Sequence, residues 1–140
     1  MTTIAYKDGI IAADGRILDS NQGIVTDRGQ KIFIRDGIVF SFAGAVPDWH
    51  KFMDSWHDPE KGKNLDMNAF VWDGRVMWYC GSTDAGIWKD QVNEPRAIGS
   101  GADHAITAMG LGLCAKNAVK MAAKRDSRTG GRILTFNTRK

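Results

Sequence analysis

A threonine directly follows Met1, and an N-terminal threonine can carry a nucleophile and its base on one residue. Methionine aminopeptidase removes a methionine efficiently before a small residue, which would leave Thr2 with a free α-amine beside its hydroxyl. An α-amine titrates near ~7.7 to 8.0 and accepts a proton at neutral pH, whereas an internal threonine has no such base. We therefore expect Met1 to be removed and Thr2 to be a candidate nucleophile.

Five later segments contain residues that could support such a nucleophile. They lie where strand-like apolar runs begin or end. In chain order they are Asp14-Gly15, Lys31, Ala43-Gly44, Gly99-Ser100-Gly101 and Arg125-Asp126-Ser127-Arg128-Thr129-Gly130-Gly131. No single one is specific, because Asp-Gly is a common turn and a lysine at a strand start is usually a surface residue. Their order along the chain is the informative feature.

With Thr2-Thr3-Ile4, these segments resemble motifs of proteasome β subunits and of the bacterial HslV peptidase, in the same order. Both belong to the N-terminal nucleophile hydrolases, and the resemblance runs from residue 2 to about residue 137. It implies a threonine-type endopeptidase subunit that hydrolyses unfolded polypeptide inside a homo-oligomeric ring, with no metal and no organic cofactor. It also implies an ATP-dependent unfoldase that delivers substrates, where such a partner exists.

The resemblance implies a role for each matching residue nearest the nucleophile. The Thr2 hydroxyl would attack a peptide carbonyl, with its own α-amine as general base, directly or through a water. Lys31 would lie beside Thr2 as a cation that lowers the pKa of the amine. Asp14 would be the buried partner of Lys31, because a lysine buried alone loses its proton. Gly44 would offer its backbone N–H to the oxyanion.

Three polar residues would form a second group around the nucleophile. By the same resemblance, Ser100, Asp126 and Thr129 hydrogen-bond the Thr2 amine and hydroxyl and fix the proton path. Family members usually have serine where this chain has Thr129. Ser100 has a second interpretation, as the N-cap of the helix that follows it.

Phe42 occupies a position that shapes the specificity pocket in the family. A bulky aromatic side chain there implies a shallow apolar pocket. A core residue of the strand is the other interpretation of Phe42.

Strands whose ends meet are needed to bring these residues together, and the sequence predicts them. Asp8-Gly9, Asp36-Gly37 and Asp73-Gly74 separate apolar runs, which is a strong hairpin signal. Residues 16–30 are polar and irregular and are expected to form a loop or a small ribbon, whereas residues 82–94 are mixed. Strands are expected over residues 3–6, 10–13, 31–34, 38–42, 68–72, 75–79, 96–98 and 131–138.

Two helices are predicted between these strands. Trp49, Phe52, Met53 and Trp56 have the i, i+3, i+4, i+7 spacing of a short amphipathic helix. Residues 102–124 are expected to form one long helix whose buried stripe consists of small residues. The predicted class is α+β, and the resemblance implies an αββα four-layer sandwich.

The chain departs from the family pattern in its helices. Family members commonly have two consecutive helices between the Ala-Gly segment and the next hairpin, whereas about 20 residues separate Ala45 from Met67 here. We expect one of those helices to be missing or reduced to a turn. The number of subunits in the ring and docking of an unfoldase are left open by this shortening.

Composition agrees with one domain over residues 1–140 and excludes few functions. The net charge of +3 is mild and dispersed, which does not favour nucleic-acid binding. Cys80 and Cys114 form no metal-binding motif and are expected to be reduced thiols, and the histidines lack metal-ligand spacing. Because no apolar run reaches the ~20 residues of a membrane helix, we expect a cytoplasmic protein with no membrane partner.

Two other functions remain open at the level of sequence. If Met1 is retained, the amine of Thr2 is blocked, and the chain would be a non-catalytic ring scaffold. Alternatively, the chain could be an N-terminal nucleophile amidase that acts on a small molecule.

Overall fold

Two antiparallel sheets and a small ribbon make up the strands of the computed structural model, which describes residues 2–139; Met1 lies outside the described residues. The first sheet consists, in spatial order, of β10 (Arg96–Gly99), β1 (Thr3–Lys7), β2 (Ile10–Ala13) and β11 (Leu134–Asn137). The second sheet consists, in spatial order, of β5 (Ile32–Arg35), β6 (Ile38–Gly44), β7 (Met67–Trp72), β8 (Met77–Thr83) and β9 (Gly86–Gln91). The ribbon pairs β3 (Ile17–Leu18) with β4 (Ile24–Thr26).

The predicted hairpins are confirmed. Asp8 and Gly9 join β1 to β2 with φ angles of 52° and 82°, and Asp36 and Gly37 join β5 to β6 with φ angles of 54° and 77°. Positive φ at both central residues is the geometry that matches the right-handed twist of paired strands. The ribbon of β3 and β4 confirms the second of the two structures predicted for residues 16–30, a loop or a small ribbon. Strand β9 falls in the segment of mixed character and was missed.

The two sheets stack face to face, and helices cover their outer faces. Between the sheets, Ile4, Ile11 and Ile98 of the first pack in one cluster with Val39 and Phe70 of the second. Helix α1 (Val46–Asp54) covers the second sheet, and helices α2 (Ala102–Gly110) and α3 (Ala115–Arg125) cover the first. The order of layers is therefore helix, sheet, sheet, helix, as predicted.

The prediction of one long helix over residues 102–124 is wrong. Residues 111–114 separate α2 from α3, and Gly112 has a φ of +105°, which no α-helix contains. The stripe of small residues is nevertheless buried in both helices. It packs on Ala5 and Ala12 of the first sheet. The stripe predicted the packing surface correctly but carried no information about the break.

The helical layer on the second sheet is reduced, as the sequence predicted. After α1, the chain forms only a short 3₁₀ turn over Pro59–Lys61 before β7 begins at Met67. The aromatic face of α1 packs on Phe40 and Phe42 of β6. Within residues 2–139, no helix is long and apolar enough to cross a membrane.

Candidate active site

The predicted site residues lie at neighbouring ends of strands in the two sheets. Thr2 precedes β1, Asp14 follows β2 and Ser100 follows β10. The register pairs Ile4 with Ala13 and Thr3 with Gly99, so these three strand ends lie side by side. Lys31 and Gly44 come from the adjoining end of the second sheet, where the chain enters β5 and leaves β6. Asp126 and Thr129 follow α3.

Thr2, Asp14 and Lys31 form a buried hydrogen-bonded group. The Thr2 hydroxyl donates to Asp14 Oδ1 at 2.5 Å and accepts a hydrogen bond from Lys31 Nζ. Lys31 Nζ also donates to Asp14 Oδ1 at 2.9 Å, and the side chains of Lys31 and Asp14 are 1% and 0% exposed. The hydroxyl of Thr2 is therefore fixed between a cation and an anion whose side chains are almost completely buried.

Backbone donors hold the Asp14 carboxylate in this position. Asp14 Oδ1 accepts the N–H of Thr3 at 3.0 Å, and Oδ2 accepts the N–H groups of Gly130 and Arg16 at 3.0 and 3.3 Å. Together with the donors Thr2 and Lys31, these three make five hydrogen bonds, which fully occupy a carboxylate whose usual capacity is about four. Such a carboxylate cannot rotate away from Lys31 without leaving several buried donors unsatisfied.

Burial changes the proton affinity of Lys31. Desolvation lowers the pKa of Lys31 below its ordinary value of 10.5, although the charge of Asp14 and its hydrogen bond act in the opposite direction. Arg16 lowers the pKa of Lys31 further, whereas Asp126 raises it. Lys31 therefore gives up its proton more easily than a surface lysine does.

A second polar group surrounds Asp126. Ser100 Oγ and Thr129 Oγ1 both donate to Asp126 Oδ2, the latter at 2.7 Å, and the backbone N–H of Arg128 donates to Oδ1 at 3.1 Å. Partial burial would raise the pKa of Asp126, but the hydrogen bonds from Ser100, Thr129 and Arg128 outweigh it and hold the pKa below 3.8. Asp126 is therefore a carboxylate at neutral pH.

Ser100 connects this second group to Thr2. Its Oγ lies 3.3 Å from the carbonyl oxygen of Thr2, so the three predicted residues of this group lie beside the nucleophile candidate. The prediction that Ser100 caps the following helix is wrong, because the N-cap is Gly101 and no side chain caps α2. The hydroxyl of Ser100 is instead engaged by Asp126.

Gly99 permits the end of β10 to lie close to the backbone of Thr2. It has a φ of +98°, and a Cβ at this position would lie 2.0 Å from the carbonyl oxygen of Thr2. No side chain fits in that space, which explains the glycine before Ser100.

A cavity of about 280 Å³ adjoins the site. Gly44 and Lys31 line it together with Ala45, Val46 and Trp49, and the remaining wall comes from residues 16–20 and Gln22. Gly44 has a φ of +104°, and a Cβ there would lie 2.6 Å from the carbonyl oxygen of Asp66 on the neighbouring strand connection. The close approach of Asp66 therefore explains the glycine at position 44, which lines the cavity beside Lys31.

Phe42 does not line this cavity. It is 0% exposed and lies in the aromatic cluster below α1, which is the core-strand interpretation that the sequence left open. Trp49 stacks on it with ring centroids 5.6 Å apart and an interplanar angle of 10°. Trp49, which was predicted only as a helix residue, is therefore the aromatic side chain at the cavity wall.

Two further residues at the site were missed in the sequence. Thr3 Oγ1 lies 2.6 Å from Thr129 Oγ1, and both side chains are buried. Arg16 donates to Asp27 at 2.8 Å and to the carbonyl oxygen of Ser127 at 2.9 Å, which ties the segment after β2 to the segment after α3. The Thr-Thr repeat and the position of Arg16 two residues after Asp14 were the available signals.

The described part of the chain contains no group of three or more His, Cys, Asp or Glu side chains placed to hold a metal ion. The chemistry available at the site is that of a hydroxyl between a lysine and a carboxylate, with a glycine backbone and a cavity beside it. Such a set of groups can transfer an acyl group to an oxygen nucleophile.

No family model and no curated protein matches the sequence. Several solved structures are nevertheless similar. HslV from Trypanosoma brucei superimposes with a TM-score of 0.70 at 15% identity, covering 96% of this chain and 97% of that chain. The bacterial proteasome homologue BPH of Thiobacillus denitrificans gives 0.64 at 16% identity, over 96% and 95% of the two chains. The same protein in complex with epoxomicin gives 0.60 at 15% identity, with 96% of each chain covered.

These similarities establish the fold. The chain has the αββα sandwich of HslV and of the bacterial proteasome homologue over nearly its whole length, with the reduced helical layer described above. The predicted fold class is confirmed.

Proposed function

We propose that the chain is a threonine-type endopeptidase subunit in which Thr2, once residue 1 has been removed, is the nucleophile. The observation that carries this proposal is the contact of the Thr2 hydroxyl with both Lys31 and Asp14, whose side chains are almost completely buried. Burying a lysine and a carboxylate costs several kcal/mol per ion before they pair. A buried pair that engages one hydroxyl is a typical device for activating a nucleophile.

The reaction proposed here begins with attack of Thr2 Oγ on the carbonyl carbon of a peptide bond. The α-amine of Thr2 takes the hydroxyl proton, directly or through a water, and the carbonyl oxygen becomes an oxyanion. The backbone N–H of Gly44 stabilises that oxyanion, since Gly44 and Lys31 line the same cavity. The C–N bond then breaks, the protonated amine of Thr2 gives its proton to the leaving nitrogen, and an ester forms on Thr2.

Water completes the cycle in the same site. The α-amine of Thr2 takes a proton from a water molecule whose oxygen attacks the ester carbon, and the ester C–O bond breaks. The proton returns to Thr2 Oγ, and the carboxylic acid product leaves. Lys31 stabilises the developing negative charge in both steps and keeps the pKa of the amine low. Ser100, Asp126 and Thr129 orient the amine through the hydrogen bonds that surround Asp126.

The adjoining cavity favours a polypeptide with an apolar side chain before the scissile bond. Ala45, Val46 and Trp49 give it an apolar wall, and a volume of about 280 Å³ is small. The small volume does not suit a large aromatic side chain and its backbone together. We infer that medium-sized aliphatic side chains are preferred.

Assembly into a homo-oligomeric ring is part of the proposal. Leu111 in the connection between α2 and α3, Ile106 on α2 and Met121 on α3 are 80%, 38% and 42% exposed, which is apolar surface of the kind that subunit contacts cover. The ring would restrict access to unfolded chains in the cytoplasm, and an ATP-dependent unfoldase would supply them where one exists. Sedimentation of the purified protein would measure the subunit number.

Hydrolysis of fluorogenic peptides and of an unfolded polypeptide by the processed protein tests the proposal. We expect Thr2→Ala to lower turnover by on the order of 10⁴- to 10⁶-fold, because the nucleophile is removed while the fold is kept. Thr135→Ala, at an exposed position on β11, is the matched control and should retain full activity. Peptide turnover that persists in Thr2→Ala would contradict the proposal. An assembled ring without any turnover would favour a scaffold, and turnover of small amides alone would favour an amidase.

A further inference from the structure

Thr3, Thr129 and Asp126 form a chain of hydrogen bonds in which the direction of each bond is fixed. An ionised carboxylate only accepts hydrogen bonds. Thr129 Oγ1 lies 2.7 Å from Asp126 Oδ2, so the single hydroxyl proton of Thr129 is given to that oxygen. No proton remains for the contact between Thr129 and Thr3, whose Oγ1 lies 2.6 Å away. Thr3 must therefore donate to Thr129, and Thr129 in turn donates to Asp126.

The hydroxyl of Thr3 is unusual for its surroundings. Thr3 is 0% exposed, directly follows Thr2 and lies in a strand of the first sheet. A valine of the same shape would fill this space without the cost of burying a polar group, so filling space does not require a hydroxyl. Gly101 leaves room for it, because a Cβ at position 101 would lie 2.1 Å from Thr3 Oγ1.

We propose that Thr3 is a positioning residue of the candidate active site, whose hydroxyl holds the Thr129 hydroxyl in the orientation that donates to Asp126. Thr129 and Ser100 then both point their protons at Asp126, and their oxygen lone pairs are left to accept hydrogen bonds from a free amine on Thr2. The Thr3 hydroxyl donates to one of the two lone pairs of Thr129 Oγ1. The second lone pair is then the one that can accept a hydrogen bond from the α-amine of Thr2. The catalytic consequence of this inference rests on the proposed function.

The charged groups near this network do not contact the Thr3 hydroxyl. Lys31 interacts with Asp126 through space, and Arg16 reaches the segment after α3 through the carbonyl oxygen of Ser127. Asp14 accepts the backbone N–H of Thr3, which a side-chain substitution keeps. The backbone N–H of Arg128 donates to Asp126 from the same turn. Replacing the Thr3 hydroxyl therefore alters one hydrogen bond and leaves these charges in place.

Titration of the Asp126 carboxyl carbon by ¹³C NMR in the full chain tests this inference without requiring activity. Thr3→Val removes the hydroxyl at constant shape, weakens Thr129 as a donor and should raise the pKa of Asp126. Thr3→Ser keeps the hydroxyl and should leave the pKa as in the unaltered chain. Ser41→Ala, which removes a buried hydroxyl that has no partner among the described residues, should also leave it unchanged. If valine at position 3 prevents folding, Thr3→Ala removes the same hydroxyl without adding a methyl group.

The inference is overturned if the variant without the hydroxyl titrates as the unaltered chain does, or if Thr3→Ser shifts the pKa as much as Thr3→Val. A second measurement is peptide hydrolysis. Loss of one buried neutral hydrogen bond predicts a fall in kcat of roughly 2- to 12-fold with KM unchanged. The acidic limb of the pH profile should move to higher pH, because a more basic Asp126 favours the protonated amine. Absence of any hydrolysis by the unaltered chain refutes the proposed function, while the titration still decides the role of Thr3.

Discussion

Asp14→Asn should be the most destabilising conservative change at the site. The carboxylate of Asp14 neutralises Lys31 at 2.9 Å, and both side chains are almost fully buried. It also accepts hydrogen bonds from the Thr2 hydroxyl and from the N–H groups of Thr3, Gly130 and Arg16. An asparagine has one acceptor oxygen and directs its amide N–H groups at some of these donors. Removing one partner of a buried ion pair typically costs about 3–5 kcal/mol of unfolding free energy, and we expect a loss of this size near neutral pH.

The loss should depend on pH in a direction that Lys31 determines. Burial lowers the pKa of Lys31 in the folded chain below its ordinary value of 10.5 in the unfolded chain, and Asp14 limits that decrease. Between the two values the unfolded chain binds more protons, so the contribution of Lys31 to stability rises with pH in that range. Without Asp14 the folded pKa falls further. The range then begins at lower pH, so the loss in Asp14→Asn should shrink as the pH rises from the folded pKa of Lys31 in the variant to the folded pKa of Lys31 in the unaltered chain.

Urea unfolding at several alkaline pH values, with the unaltered chain at each, measures this effect. Taking the difference between the two proteins cancels contributions that they share, such as that of the Cys80 thiol. Asp54→Asn is the matched control, because Asp54 pairs with Arg35 at the surface with 68% of its side chain exposed. Exposed pairs are typically worth about 0.2–1 kcal/mol. If Asp14→Asn costs no more than Asp54→Asn, or if its cost is constant with pH, the argument from a buried Lys31 is refuted.

Two further outcomes are expected. Trp49→Leu should enlarge the cavity and shift peptide preference toward bulkier side chains, as measured by kcat/KM across a peptide series, whereas Phe52→Leu, which lies in the same cluster but does not line the cavity, should leave preference unchanged. An unchanged preference in Trp49→Leu would mean that the cavity does not bind the substrate side chain. In mass-detected alkylation of the native protein, the exposed Cys114 should react while Cys80 does not, because burial raises the pKa of Cys80 to about 12. Modification of both thiols without denaturant would contradict the burial of Cys80.

The grouping of Thr2, Asp14 and Lys31 was implied by the resemblance to proteasome β subunits and HslV, and local signals predicted the strand ends at which these residues lie. Asp-Gly turns mark where hairpins reverse, and in the Asp8 and Asp36 hairpins the backbone angles are those that favour glycine. Once the strands are placed, antiparallel pairing brings their ends together. The sequence also predicted the reduced helical layer on the second sheet, because the roughly 20 residues between Ala45 and Met67 cannot contain two helices and their connections.

Other features depend on contacts that a sequence does not display. The break at Gly112 interrupts a stripe of small residues that is continuous in sequence, and one glycine inside a helical pattern is often tolerated. Strand β9 pairs with only one neighbour and is largely exposed, so its apolar alternation is weak. The roles of Ser100 and Thr3 depend on partners 26 and 126 residues away. For Ser100 the local pattern indicated a helix cap, which is absent, whereas the resemblance implied a place in the polar group with Asp126.

The nucleophile is the central claim, and intact mass spectrometry before and after incubation with a peptide epoxyketone tests it most directly. This reagent requires both the hydroxyl and the free α-amine of an N-terminal threonine. The account predicts a mass that lacks Met1, followed by a single adduct that maps to Thr2 and is absent from Thr2→Ala. A chain that retains Met1 and forms no adduct would contradict it.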